Sequence, residues 1–428
     1  MPEFVEWAGR SGALVTITDT LDACLEVAQV AARHDGRPVL FERVKGQAMR
    51  IVTGICSSRA YFAQALNLPQ NGVLPALVDA AANPQCPPIV DNGTCQEVVE
   101  TGPDLGHLPV LTHLPGDGGP YITSGVMVIR DPDYGRNISF HRLMVTGPRT
   151  ATVRVVEGRG THTAWSKQAA DLPVAVCIGA SPAVLLAASM SPPKGVDELS
   201  IAHKLAPTPL VRCKTLDLHV PAECEIVLEG RLTHRLAAEG PFLDLTETRD
   251  VVRQQPVLEI DCITHRAGAI YHALLPGMLE HKLLMGVPRE PTIYAAVNEV
   301  CACKNVLITP GGTSWLHAVV QIEKRGPQDG LRAIEAAFRG HGSLKHVVVV
   351  DDDVDIYEPA EVEWAIATRF QADKGLVVRS DQPGSSLDPS STHVPGKKTR
   401  TAKMGLDATI PWGVRREDFE RVRYWRGA

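Results

Sequence analysis

The sequence predicts an α/β plus β fold in three parts, on three observations. Helical and strand patterns alternate over the first part of the chain, β patterns take over from Tyr121, and the alternation resumes from Glu290. The Gly- and Pro-rich stretch from Leu105 to Gly119 separates the first two regimes. A chain of 428 residues also exceeds what one ordinary core encloses. We therefore expect an N-terminal α/β domain over residues 1–110, a central β-rich domain over 111–290, and a linking helix with a C-terminal α/β domain over 291–428.

The elements follow in order. Asp19 to Ala31 carries apolar residues at helical spacing behind a capping-type residue and reads as a helix. Pro38 to Val44 reads as a strand, and Ser58 opens a second helix. Pro87-Pro88 and Asn92-Gly93 mark a loop. Further on, Ile122 to Arg130 is a strand, Asp131 to Gly135 a turn, and Asn137 to Thr146 the returning strand. Pro173 to Gly179 is a buried strand and Pro182 begins a short helix, with more strands near Leu210–His219, Glu225–Leu232 and Val257–His265. A helix from Glu290 to Cys303 leads into the last part, where Lys345–Asp351 is a buried strand and Pro359–Phe370 a helix. The Pro/Ser/Gly-rich stretch from Ser380 to Lys398 reads as a loop.

Two short segments carry chemistry. In Glu239-Gly-Pro-Phe-Leu-Asp244, two carboxylates flank a Gly-Pro turn that no helix or strand interior accepts, so the loop can bring both acids to one place. Upstream, Asn137-Ile-Ser-Phe-His-Arg142 offers an amide, a hydroxyl, an imidazole and a guanidinium. An arginine facing two carboxylates can hold one ionised and poise the other for proton transfer. Strict strand alternation puts Asn137 and Arg142 on opposite faces. Either a bulge reconciles them or the two faces serve different parts of a ligand.

Composition narrows the function classes. The net charge of −6 argues against a nucleic-acid binder, which needs a basic face. The 10 cysteines are scattered with no C-x-x-C pair, and several sit in apolar runs as Cys177 does, which fits neither a zinc site nor a disulfide framework. There is no basic, apolar leader and no apolar run of membrane-spanning length, so we expect a cytoplasmic protein without a membrane partner.

The segment from Tyr121 to Arg142 resembles the flavin-binding hairpin of the UbiD family of decarboxylases, and Glu239 to Asp244 resembles that family's acidic loop. Asp351 to Ala365 is similar to its C-terminal strand–helix unit, and Ala402 to Thr409 to its closing signature. The matches fall in order along nearly the whole chain. The resemblance implies a central split β-barrel that binds prenylated FMN and a C-terminal oligomerisation domain, in a homodimer or homohexamer. It implies a divalent metal, Mn2+ or Mg2+, held by Asn137, His162 and Glu198, together with K+. Hard oxygens with one imidazole suit such an ion. Cofactor contacts would come from Asn137, Ser139, Phe140, His141, Arg142, Thr161, His162, Glu198 and Lys403. The catalytic residues would be Arg142, Glu239 and Asp244, and His281, Leu284 and Met285 would line the substrate pocket.

The implied reaction is reversible, non-oxidative decarboxylation of an aromatic, heteroaromatic or α,β-unsaturated acid, with a flavin prenyltransferase supplying the cofactor. Arg142 and Glu239 would orient the substrate and Asp244 would donate the proton. Two alternatives stand beside it: a flavin-dependent oxidoreductase, which would share a flavin-binding β domain but needs no Arg/Glu/Asp triad, and a non-catalytic subunit of a multi-subunit carboxylase, which would retain the fold but lose the triad.

Overall fold

The computed structural model describes residues 1–394 and 397–422. The chain divides into two compact units, Met1–Pro288 and Arg289–Ala428. Among the described residues, no helix is long and apolar enough to cross a membrane.

In the first unit, a four-stranded sheet joins Val15–Leu21, Val39–Val44, Arg50–Thr53 and Ile270–His272. The first of these occupies the start of the helix expected from Asp19, and the helix itself covers only Glu26–Ala32. Two causes are visible. Val15 to Thr20 is rich in β-branched residues and pairs in parallel with Val39–Val44. Asp22 then forms a local turn, accepting the Cys24 N–H at 2.9 Å while its own N–H is taken by Glu26 Oε2 at 2.8 Å. The helix Arg59–Ala65 begins as expected, capped by the Ser58 hydroxyl.

A nine-stranded sheet dominates the unit. Its path runs Tyr121–Ile122, Leu143–Gly147, Thr150–Val153, Arg253–His265, Ile226–Glu239, Leu172–Ile178, Val126–Asp131 and Gly135–Phe140, with Val98–Glu100 beside Arg253–His265. Tyr121–Ile122 and Gly135–Phe140 end the path and are not hydrogen-bonded to each other, so the sheet does not close. Alternate residues feed two cores. Val126, Val128, Ala175, Cys177 and Val227 enter one, and Met127, Ile129, Val174, Val176 and Ile226 enter the other. Burial on both faces explains the continuous apolar runs of these strands. The strand expected over Leu210–His219 is two short ones, Leu210–Arg212 and His219–Pro221. The turn between them is pinned by the buried Glu229 carboxylate, which accepts the Lys214 and Thr215 N–H groups at 2.8 and 2.6 Å.

The second unit is built on a five-stranded sheet in the order Ala302–Ile308, His317–Glu323, His346–Asp351, Arg400–Asp407 and Leu376–Pro383. The helix expected to reach Cys303 stops at Asn298, whose Oδ1 accepts the Cys303 N–H at 3.1 Å as the chain turns into the first strand. In the stretch from Ser380 to Lys398, the first residues extend a strand. Buried Asp388 anchors the following loop, 3.1 Å from Lys345 Nζ and 3.2 Å from the Thr401 hydroxyl. Pro395 and Gly396 of that stretch lie outside the described residues.

Candidate active site

The strand expected from Asn137 to Thr146 is broken at His141-Arg142. Gly135–Phe140 pairs with Val126–Asp131, whereas Leu143–Gly147 pairs with Tyr121–Ile122 and Thr150–Val153. Two residues thus carry the chain from one end of the nine-stranded sheet to near the other, which requires the sheet to curl. The break also removes the alternation problem, because Asn137 lies on the first strand and Arg142 in the break that follows it, so no shared period links their faces.

Arg142 leaves this break to meet three carboxylates. Its Nε donates to Glu239 Oε1 at 2.9 Å and Nη2 to Glu239 Oε2 at 3.1 Å, a bidentate pair. Nη1 donates to Asp244 Oδ2 at 2.9 Å, and Nη2 also donates to Asp250 Oδ2 at 2.7 Å. Glu239 ends a long strand, 0% exposed, and also accepts the Tyr121 hydroxyl at 3.2 Å. Phe242, from the loop after Gly240-Pro241, places its ring 4.8 Å from the guanidinium carbon and 4.4 Å from the Tyr121 ring. Burial alone would lower the Arg142 pKa. The facing carboxylates outweigh it, so the guanidinium stays charged. Burial, reinforced by the Glu239 charge, pushes the Tyr121 phenol up and keeps it protonated. Asp244 is the most exposed of the three acids, and its Oδ1 accepts the Leu245 N–H at 2.6 Å.

Beside this network, Ser139, His141 and Thr161 converge. His141 Nε2 lies 2.9 Å from the Thr161 hydroxyl and 3.1 Å from that of Ser139, and Nδ1 lies 2.9 Å from the Arg154 carbonyl. Burial lowers the His141 pKa. The neutral ring therefore donates from Nδ1 to the carbonyl and accepts at Nε2 from a hydroxyl. Phe140 packs half-buried against the first core.

Family comparison covers most of the chain. The N-terminal, Rift-related and C-terminal domains of 3-octaprenyl-4-hydroxybenzoate carboxy-lyase match residues 5–81, 89–279 and 282–408. The chain belongs to the UbiD family of carboxy-lyases. Among its relatives, anhydromevalonate phosphate decarboxylase of Methanothermobacter thermautotrophicus is 41% identical over 99% of both chains. The enzyme of the same description from Methanocaldococcus jannaschii is 41% identical over 95% of this chain and 96% of its own. Among solved structures, the UbiD-class enzyme HmfF from Pelotomaculum thermopropionicum, in complex with FMN, is 39% identical. It superposes with a TM-score of 0.94 over 99% of this chain and 97% of that one.

In this UbiD chain, Asn137 Nδ2 donates to Glu198 Oε1 at 2.8 Å and the Ile138 N–H to Glu198 Oε2 at 3.0 Å. Asn137 Oδ1 is buried without a hydrogen-bond partner, and Gly160 approaches so closely that a Cβ there would sit 2.7 Å from it. Burial pushes the Glu198 carboxyl up to about 7. An orphaned amide oxygen beside a buried acid is the donor set that a hard divalent cation satisfies. His162 stands on the short helix Gly160–Ser166 with its ring 6.0 Å from that of Trp165. Among the described residues, no group of three or more His, Cys, Asp or Glu side chains is gathered for a metal.

The remaining expected residues are placed as follows. His281 Nδ1 accepts the Gly277 N–H at 3.1 Å, burial lowers its pKa, and the Asp244 charge acts on it. Leu284 is a buried member of the first core, and Met285 is half-buried. Lys403 belongs to the second unit, where Nζ donates to the Gly342 carbonyl at 2.7 Å and burial lowers its pKa to about 8. Sequence reasoning missed Tyr121, Phe242 and Asp250. Tyr121 and Phe242 had a signal, since they lie inside the Tyr121–Arg142 and Glu239–Asp244 segments, whereas Asp250 had none.

Proposed function

We propose that this UbiD chain catalyses reversible, non-oxidative decarboxylation of an aromatic, heteroaromatic or α,β-unsaturated carboxylic acid with prenylated FMN. The observation that carries the reading is the Arg142 guanidinium fixed between Glu239 and Asp244 at 2.9 Å from each. Relatives named anhydromevalonate phosphate decarboxylase and a structural neighbour in complex with prenylated FMN support the reaction class and the cofactor. When bound, prenylated FMN supplies an electrophilic centre for the electron pair left as carbon dioxide departs.

The side chains do the rest. Arg142 has five N–H groups, of which four are engaged by Glu239, Asp244 and Asp250. The fifth, on Nη1, receives the substrate carboxylate. Glu239, steadied by the Tyr121 hydroxyl, fixes the guanidinium plane. Asp244, tied to Arg142 by one oxygen, delivers the proton to the carbon that loses carbon dioxide. Asn137 and Glu198, with His162 as third ligand, would hold Mn2+ or Mg2+ against the cofactor phosphate.

The test is co-expression with a flavin prenyltransferase and a panel of furan, pyrrole, hydroxybenzoic, cinnamic, small enoic and phosphate-bearing acids. Carbon dioxide release without net electron transfer supports the reading. Net electron transfer favours the oxidoreductase alternative, and absence of turnover across the panel favours the non-catalytic subunit. Asp244→Asn should keep the flavin spectrum and lose both turnover and solvent-deuterium incorporation. Undiminished turnover would remove Asp244 from its role.

A further inference from the structure

We infer that Asp250 is a positioning residue for Arg142, fixing which guanidinium nitrogen is left to meet the substrate. The inference rests on the decarboxylase reading above and adds a residue to it. Asp250 sits on the two-residue strand Arg249–Asp250, paired with Phe242–Leu243 so that it lies opposite Phe242, the ring that packs on the guanidinium. Its contact with Nη2, at 2.7 Å, is the shortest of the four that Arg142 makes. Asp250 is itself held. Its Oδ1 accepts the Val251 N–H at 2.9 Å and lies 2.5 Å from Arg253 Nη1.

Counting donors gives the consequence. Nε–H goes to Glu239, and the two hydrogens of Nη2 go to Glu239 and Asp250, so that edge of the fork is fully occupied. Nη1 has two hydrogens, one on Asp244 and one with no acceptor among the described residues. A substrate carboxylate therefore reaches Arg142 at the nitrogen that also holds the proton donor. Without Asp250, Nη2 regains an open hydrogen and Glu239 alone holds that edge of the fork, so the guanidinium is free to tilt off Asp244 and a carboxylate can dock at either end.

Arg253 keeps Asp250 fit for this task. Burial alone would raise the Asp250 pKa, but the Arg253 and Arg142 guanidinium groups outweigh it and hold the carboxyl below the usual range. Two guanidinium groups thus face three carboxylates, and Asp250 stays ionised without drawing Arg142 away from Glu239.

The experiment compares Asp250→Ala, Asp250→Asn and Asp250→Glu with wild type, by crystal structure of the purified protein and by steady-state kinetics of the prenylated-FMN holoenzyme. In the Ala variant the Arg142 Nη1 contact with Asp244 should break. Its kcat should fall about 10²-fold, the size of effect that an ångström-scale misplacement produces. KM should not rise, and Asp250→Glu should recover most of kcat. Asp250→Asn, which keeps the shape, secures the measurement if the Ala variant does not fold. An unmoved guanidinium overturns the inference, and so does a displaced one with kcat intact. If wild-type holoenzyme decarboxylates nothing, the functional reading falls, while the guanidinium position still decides whether Asp250 sets it.

Discussion

Arg142→Lys keeps the positive charge and removes the geometry, so it isolates what the fork does. The guanidinium contacts Glu239 through Nε and Nη2 at 2.9 and 3.1 Å, reaches Asp250 from the same Nη2, and reaches Asp244 from Nη1. A lysine ammonium presents three donors from one point and cannot span three carboxylates or engage both oxygens of Glu239. At least one charge-assisted hydrogen bond is lost, a change of about 1.5–3 kcal/mol. Glu239, fully buried, then relies on the Tyr121 hydroxyl and whichever contact the ammonium keeps. At 1.36 kcal/mol per factor of ten, kcat/KM should drop by about 10- to 150-fold. The assay is substrate consumption by the holoenzyme at fixed cofactor loading, with thermal unfolding run in parallel. A Lys variant within about threefold of wild-type kcat/KM would refute the claim that bidentate geometry, rather than charge, orients the substrate.

Two further outcomes follow from groups away from the proton donor. Glu198→Gln should weaken cofactor retention, read as lower flavin absorbance and metal content after purification, because it removes the charge beside the orphaned Asn137 oxygen. Unchanged absorbance and metal content would contradict the cation site. Lys403, with its pKa lowered to about 8 by burial, should make the cofactor-free protein more stable as pH rises. Between about pH 8 and about 10.4 the unfolded lysine holds a proton that the folded one has lost, so stability increases through that window, by about 3 kcal/mol at most. Lys403→Met should abolish that part of the rise in urea midpoints measured at pH 7.5 and 9.5, conditions chosen to straddle about pH 8. The same rise in both proteins would show that the lysine is not held neutral.

Local patterns were legible wherever one residue type dictates one outcome. The Ser58 cap, the buried strand Leu172–Ile178 and the Gly-Pro turn after Glu239 all announce themselves. Errors arose where a side chain redirected the backbone. Asp22 delayed a helix, Glu229 divided a strand, and Asn298 ended a helix, each through a hydrogen bond that no periodicity reveals. The candidate site divides along the same line. Arg142, Glu239 and Asp244 stand out because two of them flank a turn and the third ends a polar run. Asp250 and Tyr121 reach Arg142 and Glu239 only through pairings that place Phe242 opposite Asp250 and Tyr121 opposite Met144. A network assembled across strands is invisible to a reading made along one. Yet those two residues are what complete it: without the Tyr121 hydroxyl and the Asp250 carboxylate, Arg142 and Glu239 would make a pair with two open edges rather than a fork with one nitrogen left to offer.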